Sequence, residues 1–251
     1  MPSVLKRLLA NGAEGGREGS RPDWPALYAR LARETRDPRL RAFYDAGMPC
    51  AATPVREAPL IAMDFETTGL DPATDGIVSI GLVPMSLERI GASASRHWIV
   101  RPRVPLDEKS VTLHGITDSQ VRNAPDLDEI LGEVLGCMAG RVAIVHCREL
   151  ERQFLNTALK VRINEGIVFP VIDTMELEAR IYRKQKTGLI ERLLGRKPQA
   201  SIRLAASRER FGLPRYHPHH ALTDALASAE LLQAQIAHRF SPDTPLGELW
   251  M

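Results

Sequence analysis

The segment at residues 60–70 constrains the fold of this chain more than any other. Its first four residues, Leu-Ile-Ala-Met, are apolar, and they are followed by Asp64, Phe65 and Glu66 and then by Thr-Thr-Gly. A short apolar run that ends in a turn is typical of a strand buried within a sheet. We therefore predict a strand over residues 60–66 that carries two acidic side chains at its carboxyl end.

These two acidic side chains point to the same side of the sheet, because positions i and i+2 of a strand share a face. Two carboxylates that leave water together repel each other unless a cation lies between them. Mg²⁺ accepts clustered carboxylates as ligands, and ligands of open α/β sheets gather at the carboxyl ends of strands. Asp64 and Glu66 are thus candidate metal ligands. For an isolated Asp-x-Glu pattern, however, the favoured alternative is two acids that simply contact solvent.

The rest of the chain alternates strand and helix patterns. Further strands are predicted at residues 77–83, 97–100 and 141–145. Apolar stripes predict helices at residues 126–138, 150–161, 173–182, 202–211 and 221–236. Three strands followed by alternating helices and strands predict an α/β fold with a mixed sheet over residues 58–240 and a tail at 241–251.

Residues 1–57 differ from this domain in composition. Residues 11–21 are rich in Gly, Glu and Arg without apolar periodicity, which predicts a disordered spacer. Residues 25–44 predict one or two short amphipathic helices, interrupted near Asp37 and Pro38. The pattern does not decide whether this extension packs on the domain or docks a partner.

Composition limits the classes of function. The net charge is +2, so a nucleic-acid enzyme would have to concentrate its basic residues locally. Residues 180–197, with seven Lys or Arg against one Glu, could hold phosphates or form a solvated loop. Three scattered cysteines do not favour a disulfide framework. Without an apolar signal segment or a run long enough to span a bilayer, we expect a soluble, cytoplasmic protein that binds no membrane.

A second group of chemically active residues lies at His219 and Asp224. Asp224 sits at the edge of the helix predicted at residues 221–236, where it could reach the strand that carries Asp64. His219 follows a proline and lies at or just before the helix start, and an imidazole there could act as a general base. The alternatives are a surface loop with an acid favoured by the helix dipole, or a transition-metal site formed by three clustered histidines.

These residues match a known pattern. Residues 64–70 resemble the first motif of the DEDDh exonucleases, Asp-x-Glu-Thr-Thr-Gly-Leu, and residues 219–225 resemble the third, His-x-Ala-x-x-Asp-Ala. Between them lie the family's His-Gly-Ile-Thr at residues 114–117 and its Asp-Thr at residues 173–174. The matches occur in family order, and the family includes the proofreading epsilon subunit of bacterial DNA polymerase III.

The second motif departs from the family pattern. The family shows His-Asn-Ala-x-Phe-Asp, whereas this chain has His-Cys-Arg-Glu-Leu-Glu at residues 146–151. Glu151 therefore stands where the resemblance expects the fourth acid. Its alternative role is that of a helix-start glutamate stabilised by the dipole, and Glu149 is a less well-placed substitute.

The resemblance implies a ribonuclease H-like mixed β-sheet flanked by helices, with an N-terminal helical extension. It also implies a 3′–5′ exonuclease that binds two Mg²⁺ or Mn²⁺ ions and releases nucleoside 5′-monophosphates, with single-stranded DNA favoured. The implied metal ligands are Asp64, Glu66, Asp224 and Glu151, and His219 is the implied base. Thr67, Thr68 and His114 are implied substrate contacts.

The resemblance leaves several functions open. The substrate could instead be RNA, as in an exoribonuclease or oligoribonuclease of the same fold. The altered second motif would also suit a nucleic-acid-binding or scaffolding protein that has lost hydrolysis. We expect nucleic acid with a free 3′ end as the partner, and a homodimer or a polymerase or repair protein as a further one.

Overall fold

The computed structural model describes residues 22–106, 111–112, 114–185 and 201–251. The spacer predicted at residues 11–21 lies outside the described residues, and so does most of the basic stretch at residues 180–197. Within the described ranges, no helix combines the length and apolar character needed to cross a membrane.

Five strands form one sheet. They are β1 (Leu60–Thr67), β2 (Ile77–Met85), β3 (Arg96–Ile99), β4 (Val142–Val145) and β5 (Val171–Asp173). Their order across the sheet is β3-β2-β1-β4-β5. The pairs β1–β2 and β2–β3 are antiparallel, whereas β1–β4 and β4–β5 are parallel. The predicted mixed sheet is confirmed, and its four predicted strands are present with ends shifted by up to two residues.

The fifth strand, β5, was not predicted. It has only three residues, all buried, so it offers too short an apolar run to be distinguished from the start of the following helix. Asp173 is the last residue of this strand rather than the first of the helix. Its Oδ1 accepts the N–H groups of Met175 and Glu176 at 2.9 and 3.1 Å. Asp173 therefore caps the helix that it was predicted to begin.

The described helices flank the sheet. They are α1 (Trp24–Glu34), α2 (Pro38–Asp45), α3 (Asp118–Arg122), α4 (Leu127–Met138), α5 (Arg148–Ile163), α6 (Thr174–Gln185), α7 (Leu204–Arg210), α8 (Ala221–Arg239) and α9 (Leu246–Leu249). Short 3₁₀ turns lie at Val55–Glu57 and Ala92–Ala94. Helix α8 packs on β1, β2 and β4, with α6 and α7 beside it. The short helices α3 and α9 were not predicted.

The N-terminal extension packs against the domain from residue 22 onward. Helices α1 and α2 share a buried aromatic cluster, formed by Trp24, Tyr28, Phe43 and Tyr44. The Tyr44 hydroxyl accepts the Val168 N–H at 3.1 Å. The carboxylate of Glu165 accepts the N–H groups of the two residues before α2, at 2.9 and 2.7 Å. These bonds join the extension to the loop between α5 and β5.

The C-terminal segment closes the same side of the molecule. The Leu246 N–H donates to the carbonyl oxygen of Thr53 at 2.9 Å, which links α9 to the end of the extension. The Met251 N–H donates to the carbonyl oxygen of Val171 at 2.9 Å, and Trp250 is buried beside it. Residues 241–251 therefore lie against both the extension and β5.

Candidate active site

The candidate site forms where the parallel strands end. Because β1, β4 and β5 are parallel, their carboxyl ends meet at one edge of the sheet. Asp64 and Glu66 lie in the last four residues of β1. Glu151 lies in the first turn of α5, which follows β4. The topology therefore brings together acids that are about 85 residues apart in sequence.

A glycine allows α8 to approach this edge. Gly81 of β2 pairs with Asp64 of β1, and a Cβ at position 81 would overlap the backbone of Ala221 and Leu222. The first turn of α8 thus packs directly on the backbone of β2. Asp224 lies in that turn, so its carboxylate lies near the end of β1.

Three of the predicted ligands meet as a result. Carboxylate oxygens of Asp64, Glu66 and Asp224 all lie within 4.8 Å of one another. Burial raises the pKa of Asp64 well above its usual range, and the charges of Glu151, Asp224 and Glu66 raise it further. Burial, with the charge of Asp224, raises the pKa of Glu66 to about 8. Burial also raises the pKa of Asp224, although the His219 N–H bonded to its carboxylate lowers it.

Glu151 lies close to these acids without joining their cluster. It is only 4% exposed, and among the described residues its Oε2 has no hydrogen-bond partner. Its charge is the largest electrostatic contribution to the raised pKa of Asp64, yet it is not one of the three mutually close carboxylates. Burial raises the pKa of Glu151 itself well above its usual range. An unpaired buried carboxylate facing other acids suits a bound cation.

The other acids near Glu151, which are Glu149 in the same motif and Asp173 at the end of β5, make structural contacts. Asp173 accepts the Arg148 N–H at 3.1 Å in addition to the two bonds that cap α6. Glu149 pairs with the Arg148 guanidinium at 2.9 Å. Cys147, which replaces the family asparagine, is half-buried, and burial beside Glu151 raises the pKa of its thiol. Glu151 is therefore the acid of this segment that remains available to a ligand.

His219 lies beside the acid cluster on the loop that enters α8. Its backbone adopts the left-handed region, with φ of 67°, and its N–H donates to Asp224 Oδ2 at 2.8 Å. The residue is exposed and lines a pocket of about 170 Å³ together with Glu66 and His114. The structure therefore brings the predicted base to the same pocket as one of the predicted ligands.

Among the predicted substrate contacts, His114 has a side-chain nitrogen that is available for a hydrogen bond. His114 is 9% exposed, its Nδ1 accepts the Ile116 N–H at 3.0 Å, and its Nε2 has no partner in the described part of the chain. Burial and the neighbouring His219 lower its pKa, so the ring is neutral at neutral pH. His114 therefore presents an available ring nitrogen near the pocket.

The hydroxyl groups of Thr67 and Thr68 already form hydrogen bonds within the protein. Thr68 Oγ1 donates to Asp75 at 3.2 Å and accepts the Gly76 N–H at 3.0 Å. Thr67 Oγ1 donates to the Gly69 carbonyl oxygen at 2.5 Å. These bonds stabilise the turn after β1. A substrate that contacts this turn would therefore bind to its backbone groups.

Two further histidines line the pocket and were not predicted as site residues. His97 of β3 lies 4.7 Å from His220, measured between ring centroids, and its Nε2 lies 2.7 Å from Ser79 Oγ. His97 carried no motif in the sequence, and only the pairing of β3 with β2 shows that it faces the site.

The chain is similar in sequence to known exonucleases and polymerases. The family model RNase_T, described as exonuclease, matches residues 61–232. The PolC-type DNA polymerase III of Thermotoga maritima is 28% identical over 175 residues, which cover 70% of this chain and 12% of the polymerase. The chain thus spans about an eighth of the length of that relative.

Solved structures share the fold. The nuclease domain of 3′hExo, a DEDDh family member bound to rAMP, superposes with a TM-score of 0.59 and 19% identity, covering 72% of this chain and 92% of that chain. Exonuclease X in complex with 5′ overhanging duplex DNA superposes with a TM-score of 0.55 and 21% identity, covering 74% and 97%. The expected ribonuclease H-like fold is therefore confirmed.

Proposed function

This chain belongs to the exonuclease family, of the DEDDh type, and we propose that it removes nucleotides from the free 3′ end of nucleic acid. The products are nucleoside 5′-monophosphates, and single-stranded DNA is the favoured substrate. The observation that carries this proposal is the close approach of Asp64 and Glu66 of β1 to Asp224 of α8, because carboxylates that leave water together have little reason to cluster without a cation.

The residues present fit a pair of divalent cations, Mg²⁺ or Mn²⁺. Asp64, Glu66 and Asp224 provide oxygen ligands within reach of one ion, and the orphaned Oε2 of Glu151 provides a further buried oxygen next to Asp64. Held by these four acids, such ions would supply electrostatic stabilisation to the attacking and leaving oxygens of an in-line displacement.

The protein's own residues provide orientation and proton transfer. Asp224 holds the backbone of His219 through the 2.8 Å bond from its N–H. The His219 imidazole, which lines the pocket beside Glu66, accepts the proton of the attacking water. The neutral ring of His114 offers Nε2 to the terminal nucleotide. Thr67 and Thr68 provide backbone contacts at the turn that follows the acids.

The test is a cleavage assay on 3′-terminated oligonucleotides. Purified protein is incubated with end-labelled substrate and either Mg²⁺ or Mn²⁺, and the products are separated by size. We expect mononucleotides with at least one metal and none in EDTA, with Asp64→Ala as the control that removes one proposed metal ligand. Absence of mononucleotides with both metals would favour the binding-only alternative, and undiminished cleavage by Asp64→Ala would contradict the proposed active site.

The substrate and partners are proposals that the same preparation can test. Single-stranded DNA, duplex DNA and short RNA are digested side by side, and a faster rate on RNA would overturn the preference for DNA. Because the PolC-type relatives are polymerases, a polymerase or repair protein is the partner class that we propose, with a homodimer as the second. Size-exclusion chromatography of the full chain separates a homodimer from a monomer.

A further inference from the structure

We propose that His97 is a positioning residue for the loop that carries His219. Its ring, fixed by Ser79, supports the ring of His220 and thereby holds the adjoining backbone in the conformation that presents His219 to the pocket. This inference rests on the proposed role of His219 as the proton acceptor.

The sheet register places His97 beside the start of α8. His97 of β3 pairs with Gly81 of β2, and Gly81 pairs with Asp64 of β1. Directly paired residues on neighbouring strands point to the same face. The missing side chain of Gly81 leaves the space that the backbone of Ala221 fills. The first turn of α8 is therefore flanked by Asp64 on one side and His97 on the other.

The contact between the two histidine rings is well defined. Their centroids lie 4.7 Å apart and the rings are inclined by 35°, and this distance is within the range of aromatic contacts. The His97 ring is fixed by its Nε2, which lies 2.7 Å from the hydroxyl of the fully buried Ser79. His220 is the cap residue of α8, and its Nδ1 accepts the Thr223 N–H at 3.4 Å. A fixed ring on β3 thus supports the cap of α8.

The loop needs such support because His219 has an unfavourable backbone conformation. Its φ of 67° lies in the left-handed region, which non-glycine residues adopt infrequently. Its N–H is held by Asp224 Oδ2, but Asp224 is also a proposed metal ligand. The contact between His97 and His220 anchors the same loop without using a metal ligand. Loss of this contact would therefore loosen His219 while leaving the acid cluster intact.

The experiment compares His97→Ala with His97→Phe, which keeps a ring but cannot bond to Ser79. His238→Ala is the matched control, because His238 contacts Phe211 at the far end of α8. We expect His97→Ala to lower kcat about tenfold with KM changed less than about twofold, since a small displacement of a catalytic group slows the chemical step. His97→Phe should recover part of the lost rate, because it restores the ring contact but not the bond to Ser79, and His238→Ala should match the wild type. Thermal unfolding of each variant checks that the fold is retained.

A second measurement does not require activity. In metal-free protein, the NMR signals of the His219 ring should shift or broaden in His97→Ala but not in His238→Ala. Unchanged His219 signals, a wild-type kcat, a rise in KM alone, or a His97→Phe enzyme as slow as His97→Ala would each overturn the positioning role. A wild-type protein that cleaves no nucleic acid would instead overturn the proposed function, and the NMR comparison would still test the contact.

Discussion

At the scale of single residues, Glu151 is a buried acid at the position where the family has an aspartate. Its Oε2 has no partner among the residues described, and its charge raises the pKa of Asp64. A glutamate is one methylene longer than the family's aspartate, so its carboxylate extends further from the start of α5.

Replacement of Glu151 by glutamine tests its role. We expect Glu151→Gln to lower kcat by roughly 100-fold or more, because it removes a charge that stabilises the bound cation. It should also reduce the rise in melting temperature that Mn²⁺ produces in the wild type, because weaker binding gives less stabilisation. Glu149→Gln is the matched control, since Glu149 pairs with Arg148 on the more exposed side of the same turn. Equal rates for Glu151→Gln and Glu149→Gln would show that the fourth acid is elsewhere.

At the scale of secondary-structure elements, the contact between α8 and β2 determines the site. Asp224 and His219 reach β1 because Gly81 leaves room for the backbone of Ala221. The helix brings both residues together, so a displacement of its first turn would move the proposed base and one proposed ligand at once. Side chains elsewhere on α8 pack on the sheet and set its distance beyond this turn.

Gly81→Ala tests this contact. The added methyl group would overlap the backbone of Ala221, so we expect a destabilisation of about 1–3 kcal/mol from overpacking. We also expect a fall in kcat of about 100-fold, because the catalytic groups are displaced. The control is Gly136→Ala in α4, where a Cβ meets nothing within 4 Å. That change should stabilise the helix by about 0.5–1 kcal/mol and leave kcat unchanged. Wild-type kcat in Gly81→Ala would contradict the proposed constraint.

At the scale of the whole molecule, the buried acids of the site make the stability of the metal-free protein depend on pH. Burial raises the pKa of Glu66 from 4.5 to about 8, so between these values the folded chain binds more protons than the unfolded chain. The free energy of unfolding therefore falls as the pH rises through this window. Burial lowers the pKa of His146 from 6.5 to about 4. This shift makes the free energy of unfolding rise with pH, but only between these two values. Above pH 6.5, His146 no longer offsets the loss of stability caused by the raised pKa of Glu66.

We accordingly expect the stability of metal-free protein to fall between pH 6.5 and pH 8. The slope should be about 1 kcal/mol per pH unit, as expected for one proton released on unfolding. Urea unfolding in EDTA across this range measures it, and Glu66→Gln should reduce the slope because it removes one titrating carboxyl group. Addition of Mn²⁺ should reverse the trend, since metal binds the ionised carboxylates. A stability that is constant or rises over this range would contradict the expected burial of protonated acids.

The sequence by itself determined the longer elements and the chemical groups of this protein. The apolar run at residues 60–63 specifies a buried strand, and the period of two puts Asp64 and Glu66 on one face, because both properties are local. The helical stripe of α8 likewise specifies that Asp224 lies near its start. Local patterns also suffice for the mixed α/β class, although β5 was too short to be recognised.

Only the tertiary structure decided how these groups meet. The approach of Asp224 to Asp64 depends on a gap at Gly81, and the support of His220 depends on its contact with His97. The packing of the extension depends likewise on the bond between Tyr44 and Val168. The residues of each pair are far apart in sequence, so no local pattern records them. Their distances follow from how whole elements pack, since packing depends on the shapes of many side chains at once.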